Sequence, residues 1–168
     1  MRKPASRGAS IVETILLIPV LVLLMVGGME FGKIFLTYYT LHKALRGAAG
    51  MASVLRGADF CDTGDPQLTA IRNFVVFGPD GDGASPLVRD LDADRIVITP
   101  ERFNTEDGTI SECGCGGGGG CGTGTGTRAP DYVLVTIDGG YPYEPQVPFR
   151  VLETILLRPH VRVPFGGQ

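Results

Sequence analysis

The sequence lacks the features by which most enzymes and nucleic-acid-binding proteins are recognised. It has no tryptophan, and its only two histidines, His42 and His160, have no plausible nucleophile beside them. It contains no nucleophile elbow. Its 15 basic and 18 acidic residues give a net charge of -3, so it has no basic excess to neutralise phosphates. These absences argue against catalysis and against nucleic acid as a partner.

Charge is also missing from one long stretch near the N-terminus. Thr14–Met29, TILLIPVLVLLMVGGM, carries no charged side chain, and counted from Ala9 the apolar segment is long enough to span a bilayer as a helix. Arg2, Lys3 and Arg7 precede it, and no small-residue A-x-A cleavage signal follows it. Because basic residues stay in the cytoplasm, we expect a single-pass protein of the inner membrane whose C-terminal part is exported.

Glu13 is the one charged residue in the apolar segment that begins at Ala9. A carboxylate inside lipid costs about 2.5 kcal/mol or more, so it needs a partner. Cleavage after Gly8 would make Ala9 the new N-terminus, and its amine would lie one helical turn from Glu13. The alternative is that Glu13 lies shallowly at the cytoplasmic interface and reaches water there.

The N-terminal third also resembles a known family. The residues that carry the resemblance are Arg7-Gly8-Ala9-Ser10-Ile11-Val12-Glu13, Leu16, Leu17, Pro19, Gly27, and Glu30-Phe31-Gly32. They resemble the TadE-like family of pseudopilins, or minor pilins, from tight-adherence (Flp-type, class IVb) type IV pilus systems. A second, looser resemblance lies in Asp131–Pro145, where a strand-like run is followed by a Tyr-x-Pro segment.

The resemblance implies a processing site and a set of partners. A prepilin peptidase would cut between Gly8 and Ala9, and the mature chain would assemble with other pilin or pseudopilin subunits and with the pilus assembly machinery. Thr14 stands where the major pilins carry an aromatic residue beside the glutamate. This departure favours a minor pilin or pseudopilin over a major pilin.

The helix is predicted to continue beyond the membrane. Apolar residues recur at steps of three and four from Phe31 to Leu55, which is typical of an amphipathic helix. The whole helix would run from Ala9 to Leu55, about 70 Å, with Pro19 as a kink and Gly57 as the stop. Tyr38 and Tyr39 are interpreted as packing on the exported domain, in preference to an aromatic belt at the membrane surface.

The rest of the chain predicts a small α+β domain with a short antiparallel sheet, packed on this helix. The predicted elements are a helix at Pro66–Phe77, strands at Arg95–Thr99 and Tyr132–Ile137, a segment with helical spacing at Phe149–Leu157, and a closing strand at His160–Val163. The predicted organisation is a basic leader at 1–8, the long helix at 9–57, and the exported domain at 58–168.

The four cysteines, Cys61, Cys113, Cys115 and Cys121, all follow the anchor, and in an exported domain we expect them to form disulfides. A Cys113–Cys115 bridge is disfavoured because one intervening residue strains its geometry. Cys61 is therefore expected to pair with Cys113 or Cys115, and Cys121 with the other of these two. Zinc is the less favoured reading of the cysteines, since no second C-x-x-C is present and neither histidine is in register.

Two further segments have a functional and a structural interpretation. The glycine-rich run 113–127 has no following Lys-Ser/Thr, so we interpret it as a surface loop rather than a phosphate cradle. Asp90, Asp92, Asp94 and Glu101 have some of the spacing of a calcium loop, but Arg95 occupies the position that requires glycine. We interpret this segment as a solvated turn before a strand. No metal and no cofactor is expected.

Three functions compete at this point. The first is a structural, pilin-like subunit held by its N-terminal helix. The second is an uncleaved, single-pass envelope protein whose exported domain binds a ligand or partner. An exported enzyme is the third, kept only because about a hundred residues suffice for a small catalytic fold. The sequence supplies no candidate active site for it.

Overall fold

The computed structural model describes residues 7–81, 85–114, 121, 129–145 and 154–166. The elements are α1 (Arg7–Ala52), α2 (Pro66–Phe77), β1 (Ile96–Phe103), β2 (Ile110–Glu112), β3 (Tyr132–Ile137), β4 (Tyr141–Tyr143), β5 (Ile155–Leu157) and β6 (His160–Pro164), with short 3-10 turns at Gly78–Asp80 and Ala93–Arg95. The protein thus consists of a long N-terminal helix and a small domain with antiparallel sheets. The predicted α+β class is confirmed.

The 46 residues of α1 fall into two halves with different surroundings. The side chains from Ile11 to Leu24 are all exposed, whereas Leu41, Leu45 and Ala48 are buried against the rest of the domain. Pro19 lies inside the helix, which continues through it. The amphipathic second half therefore forms one wall of the core, and the apolar first half packs against nothing in the described part of the chain.

α1 ends at Ala52, three residues before the predicted end at Leu55 and well before Gly57. The backbone carbonyl of Ser53 accepts a hydrogen bond of 2.8 Å from the amide of Gly166, just after β6. The next two amides after Ser53 donate to carbonyls three residues back rather than four, so the chain leaves the α-helical pattern after Ala52. The distant contact at Ser53 holds the chain at this point, and the local apolar pattern does not contain it.

α2 has the predicted bounds and packs closely on α1. A Cβ atom added to Gly47 would lie 2.9 Å from the ring of Phe74, so the small residue allows the two helices to approach. Leu68, Ile71 and Val75 of α2 are buried in the shared core. The helix begins at Asp65, whose carboxylate accepts hydrogen bonds from the amides of Gln67 and Leu68.

Asp65→Ala is expected to lower the free energy of unfolding by about 1 kcal/mol, because it removes the helix cap. Hydrogen bonds from backbone amides, first that of Asp59, hold the pKa of Asp65 below its ordinary value of 3.8. The stability that the carboxylate contributes is therefore complete above pH 3.8 and is lost as the pH falls below it. Urea denaturation from pH 3 to 7 measures the difference between the two proteins.

Asp65→Asn is the matched control, since it keeps an acceptor for the cap but does not titrate. Its stability relative to Asp65→Ala should be independent of pH. A difference between wild type and Asp65→Ala that is the same at pH 3 and pH 7 would contradict this account.

The main sheet has the order β2-β1-β3-β6, and all three pairs are antiparallel. β3 is central, and its alternate residues Val133, Val135 and Ile137 are buried. This alternation of buried and half-buried residues is that of a sheet with one face on a core. α1 and α2 cover this face. The strands predicted near residues 96, 132 and 160 are confirmed, and β1 extends to Phe103.

The helical interpretation of Phe149–Leu157 is wrong where the structure describes it. Ile155–Leu157 is a strand, β5, that pairs with Tyr141–Tyr143 of β4 in a separate two-stranded sheet. Residues 149–153 lie outside the described part of the chain. The local apolar spacing favours a helix, but pairing with the edge of β4, which the local sequence does not contain, makes these residues a strand.

Glu101 and Arg162 form an ion pair across the main sheet. Glu101 is only 6% exposed, and its carboxylate accepts two hydrogen bonds, at 2.5 and 2.9 Å, from the guanidinium of Arg162 on β6.

The other acidic residues with calcium-loop spacing lie in the segment before β1. Asp92 accepts a hydrogen bond from the amide of Asp94 and begins the 3-10 turn there. Within the described residues no group of three or more His, Cys, Asp or Glu side chains could hold a metal ion.

Three of the four cysteines lie in the described residues, and all three form disulfides. Cys113 and Cys121 form a disulfide, and both are buried. Cys61 is also disulfide-bonded. Cys115, and most of the glycine-rich run 113–127, lie outside the described residues. Of the two partners that the sequence left open for Cys121, the structure therefore has Cys113.

Candidate functional site

The candidate site is the N-terminal half of α1 together with the place where it meets the domain. Large apolar side chains from Ile11 to Met29 are exposed along this half, typically by more than half of their surface. The helix is long and apolar enough to cross a membrane, and none of its most apolar 18-residue window is buried. A surface of this kind is unfavourable in water, so it requires lipid or other apolar helices around it.

Gly8, Ala9 and Glu13 lie within the first two turns of α1. Glu13 is exposed, and it follows Ala9 by four residues, which is about 6 Å along a helix axis. This spacing is what pairing between the amine of a chain that starts at Ala9 and the carboxylate of Glu13 requires. Cleavage after Gly8 and the role of Glu13 both stay predictions.

At the other end of the uncharged stretch, Glu30 is buried. Its carboxylate is 6% exposed, lies 3.2 Å from the amine of Lys33, and accepts a hydrogen bond of 3.3 Å from the hydroxyl of Tyr143. Tyr143 lies on β4, 113 positions further along the chain. Its pKa is raised, first by its own burial and then by the negative charge of Glu30.

This contact joins the two segments that carry the sequence resemblance, since Glu30 is in the N-terminal third and Tyr143 is in Asp131–Pro145. The sequence alone identified both segments, but it did not predict the contact between Glu30 and Tyr143. The feature of the sequence that could have indicated the contact is Glu30 itself, a carboxylate directly after the uncharged stretch. A buried carboxylate needs a hydrogen-bond donor or a cation as its partner. Nothing in the local pattern identifies Tyr143 as the partner.

Tyr143→Phe is expected to lower the free energy of unfolding of the domain by about 1–2 kcal/mol, because it leaves one oxygen of a buried carboxylate without its donor. Thermal unfolding of the full chain in detergent micelles at pH 7 measures the change. The wild type should also lose stability as the pH rises above 10, since a tyrosine with a raised pKa destabilises the fold when it ionises. Tyr143→Phe should lose less stability over the same pH range.

Tyr39→Phe is the matched control, because that tyrosine is 60% exposed. Tyr39→Phe should have the melting temperature of the wild type and should lose as much stability as the wild type above pH 10. Equal stability of Tyr143→Phe and wild type would show that the Glu30 contact contributes nothing.

The aromatic residues after Glu30 do not pack as predicted. Phe31, Phe35 and Tyr39 are each at least 60% exposed, and Tyr38 is 41% exposed and stacks on His42 of the same helix. The interpretation of Tyr38 and Tyr39 as packing on the domain is therefore wrong. Tyr39 lies on the side of α1 opposite Leu41, whereas Tyr38, one turn before Leu41, lies near that face and is only partly covered. Their exposure suits the membrane-water interface or a neighbouring helix.

These features define a class before any comparison. The protein has one N-terminal helix that could span a membrane, and its small disulfide-bonded α+β domain is built on the second half of that same helix. This arrangement is consistent with a membrane-anchored, pilin-like protein.

Comparison with protein families identifies the helix more closely. Residues 8–49 match the family model described as TadE-like protein. The resemblance to the TadE-like proteins of tight-adherence pilus systems is thus confirmed, over nearly all of α1. No curated protein and no solved structure matches the chain. The match ends before α2, so the looser resemblance in Asp131–Pro145 has no counterpart in it.

Proposed function

We propose that the protein is a structural subunit, a pseudopilin or minor pilin, that takes part in the assembly of a tight-adherence pilus. The observation that carries the proposal is the exposed, apolar N-terminal half of α1, which contains Glu13 and lies within the TadE-like match. A helix of this kind is stable in a bilayer and equally in a bundle of similar helices. It can therefore pass from the membrane to an assembly without exposing its surface to water.

In this proposal a prepilin peptidase removes residues 1–8, and the chain lies in the inner membrane with its N-terminus in the cytoplasm and its domain outside. The amine of Ala9, on the same or a neighbouring subunit, neutralises Glu13. The partners are other pilin or pseudopilin subunits and the assembly machinery. The role is structural rather than catalytic, and it requires neither a cofactor nor nucleic acid.

The experiment is to isolate the protein from cells with its pilus and to determine its N-terminus by mass spectrometry. The proposal expects a chain that begins at Ala9 and that is recovered with the other pilus subunits. A chain that retains residues 1–8 and is absent from pilus preparations would contradict it.

A second candidate is an uncleaved membrane-anchored protein whose exported domain binds a ligand or partner. The observation that favours it is a groove of about 710 Å³ between α1 and the segment of β4, which a purely structural subunit does not need. The same N-terminal determination separates the two, since only the second candidate keeps residues 1–8.

A further inference from the structure

A groove opens where the domain meets α1, just past the end of the uncharged stretch. One wall is α1, with Lys33, Thr37 and Thr40, and the other is formed by β4 with the residues after it and by Leu87–Asp90. The hydroxyl of Tyr141 donates a hydrogen bond of 2.8 Å to the backbone carbonyl of Arg89. This bond ties the far wall together, so the groove is a built feature of the fold.

With α1 across a bilayer, the groove would lie in the head-group layer. Glu13 and Glu30 bound the uncharged stretch and are 17 residues apart, or about 25 Å, close to the thickness of the hydrocarbon core. Lys33 comes one turn after Glu30, and Thr37 comes about 6 Å further along the axis. The interfacial layer on each side of a bilayer is about 5–8 Å thick. The exposed aromatic rings of Phe31 and Phe35 lie at the same depth.

The charges of the groove fit a ligand that carries both signs. Lys33 and Arg89 are cationic, and Asp90, Glu144 and the buried Glu30 beside Lys33 are anionic, so the five side chains carry one net negative charge. Arg89, Asp90 and Glu144 are exposed, and the amine of Lys33 already lies 3.2 Å from Glu30. A purely anionic ligand would meet more repulsion than attraction here. A phosphodiester that bears an ammonium group would satisfy both signs at once.

We propose that this groove binds the head group of a zwitterionic phospholipid, with the phosphate on Lys33 and Arg89 and the ammonium group on Glu144 and Asp90. The lipid would lie in the outer leaflet beside α1, with its acyl chains along the exposed apolar half of the helix. The inference rests on the proposed function in one respect, namely that α1 spans the membrane and the domain is outside. It adds a specific ligand to what would otherwise be a plain anchor.

The test uses the full chain in nanodiscs that contain phosphatidylethanolamine and phosphatidylglycerol, followed by native mass spectrometry in mild detergent. The wild type is expected to retain one phosphatidylethanolamine in preference to phosphatidylglycerol. Arg89→Ala and Glu144→Gln should each reduce its retention about tenfold, since each removes a charged hydrogen-bonding group. Arg46→Ala is the matched control, an exposed arginine of α1 outside the groove, and it should retain the lipid as the wild type does.

Retention by Arg89→Ala and Glu144→Gln equal to that of the wild type would overturn the assignment. So would displacement of the lipid by soluble glycerophosphoethanolamine at equal concentration, since the ligand would then be a free phosphodiester rather than a lipid. Protease accessibility of the domain in sealed vesicles distinguishes failure of the groove from failure of the proposed function. An external domain without lipid refutes the groove alone, whereas a cytoplasmic domain refutes the proposed function as well.

Discussion

Leu45→Asp should unfold the C-terminal domain or reduce its stability by about 4 kcal/mol. Leu45 is fully buried in the second half of α1, in the core that α1 forms with α2 and the main sheet. The substitution removes the apolar contacts of a leucine and places a carboxylate in an apolar core, and each change is costly. Because small domains are stable by only about 5–15 kcal/mol, the effect is a large part of the total.

The measurement is chemical denaturation of the full chain in detergent micelles, monitored through the near-ultraviolet circular dichroism of the tyrosines. Met51→Asp is the matched control on the same helix, since Met51 is 42% exposed, and it should change the stability by less than about 1 kcal/mol. An unchanged denaturation midpoint for Leu45→Asp would show that this face of α1 does not carry the domain.

Gly8→Val and Glu13→Ala are expected to block two different steps of the same process. A side chain at the scissile position should obstruct the peptidase, so Gly8→Val should keep residues 1–8. Glu13→Ala should still be cut, but its incorporation with partner subunits should fall roughly tenfold or more, because the amine of Ala9 loses the charge that compensates it in apolar surroundings. Mass spectrometry of the membrane and pilus fractions measures both steps.

Glu13→Gln separates charge from shape, and we expect it to behave as Glu13→Ala does. Ser10→Ala, one turn away on the same helix, is the control that should be processed and incorporated normally. If Glu13→Ala is incorporated as well as the wild type, the charge pair has no role. The uncleaved membrane-anchor alternative would then be favoured, and decisively so if the native chain also keeps its first eight residues.

The sequence was sufficient wherever neighbouring residues carry the signal. The uncharged stretch Thr14–Met29 needs no tertiary partner to predict a helix that could cross a membrane. α2 was predicted with its correct bounds because Pro66 suits the first position of a helix and Gly78-Pro79 ends it. β3 followed from its alternating β-branched residues. In each of these segments the determining interactions are local.

Only the tertiary structure decided which distant groups meet. The bond between Tyr143 and Glu30 joins residues 113 positions apart, and the pair Glu101 and Arg162 joins residues 61 apart. Ile155–Leu157 became a strand because β4 offered an edge, and the carbonyl of Ser53, directly after α1, accepts from the amide of Gly166. A buried carboxylate or an open strand edge shows that a partner is required, but its identity depends on how the elements pack, which the local pattern does not contain.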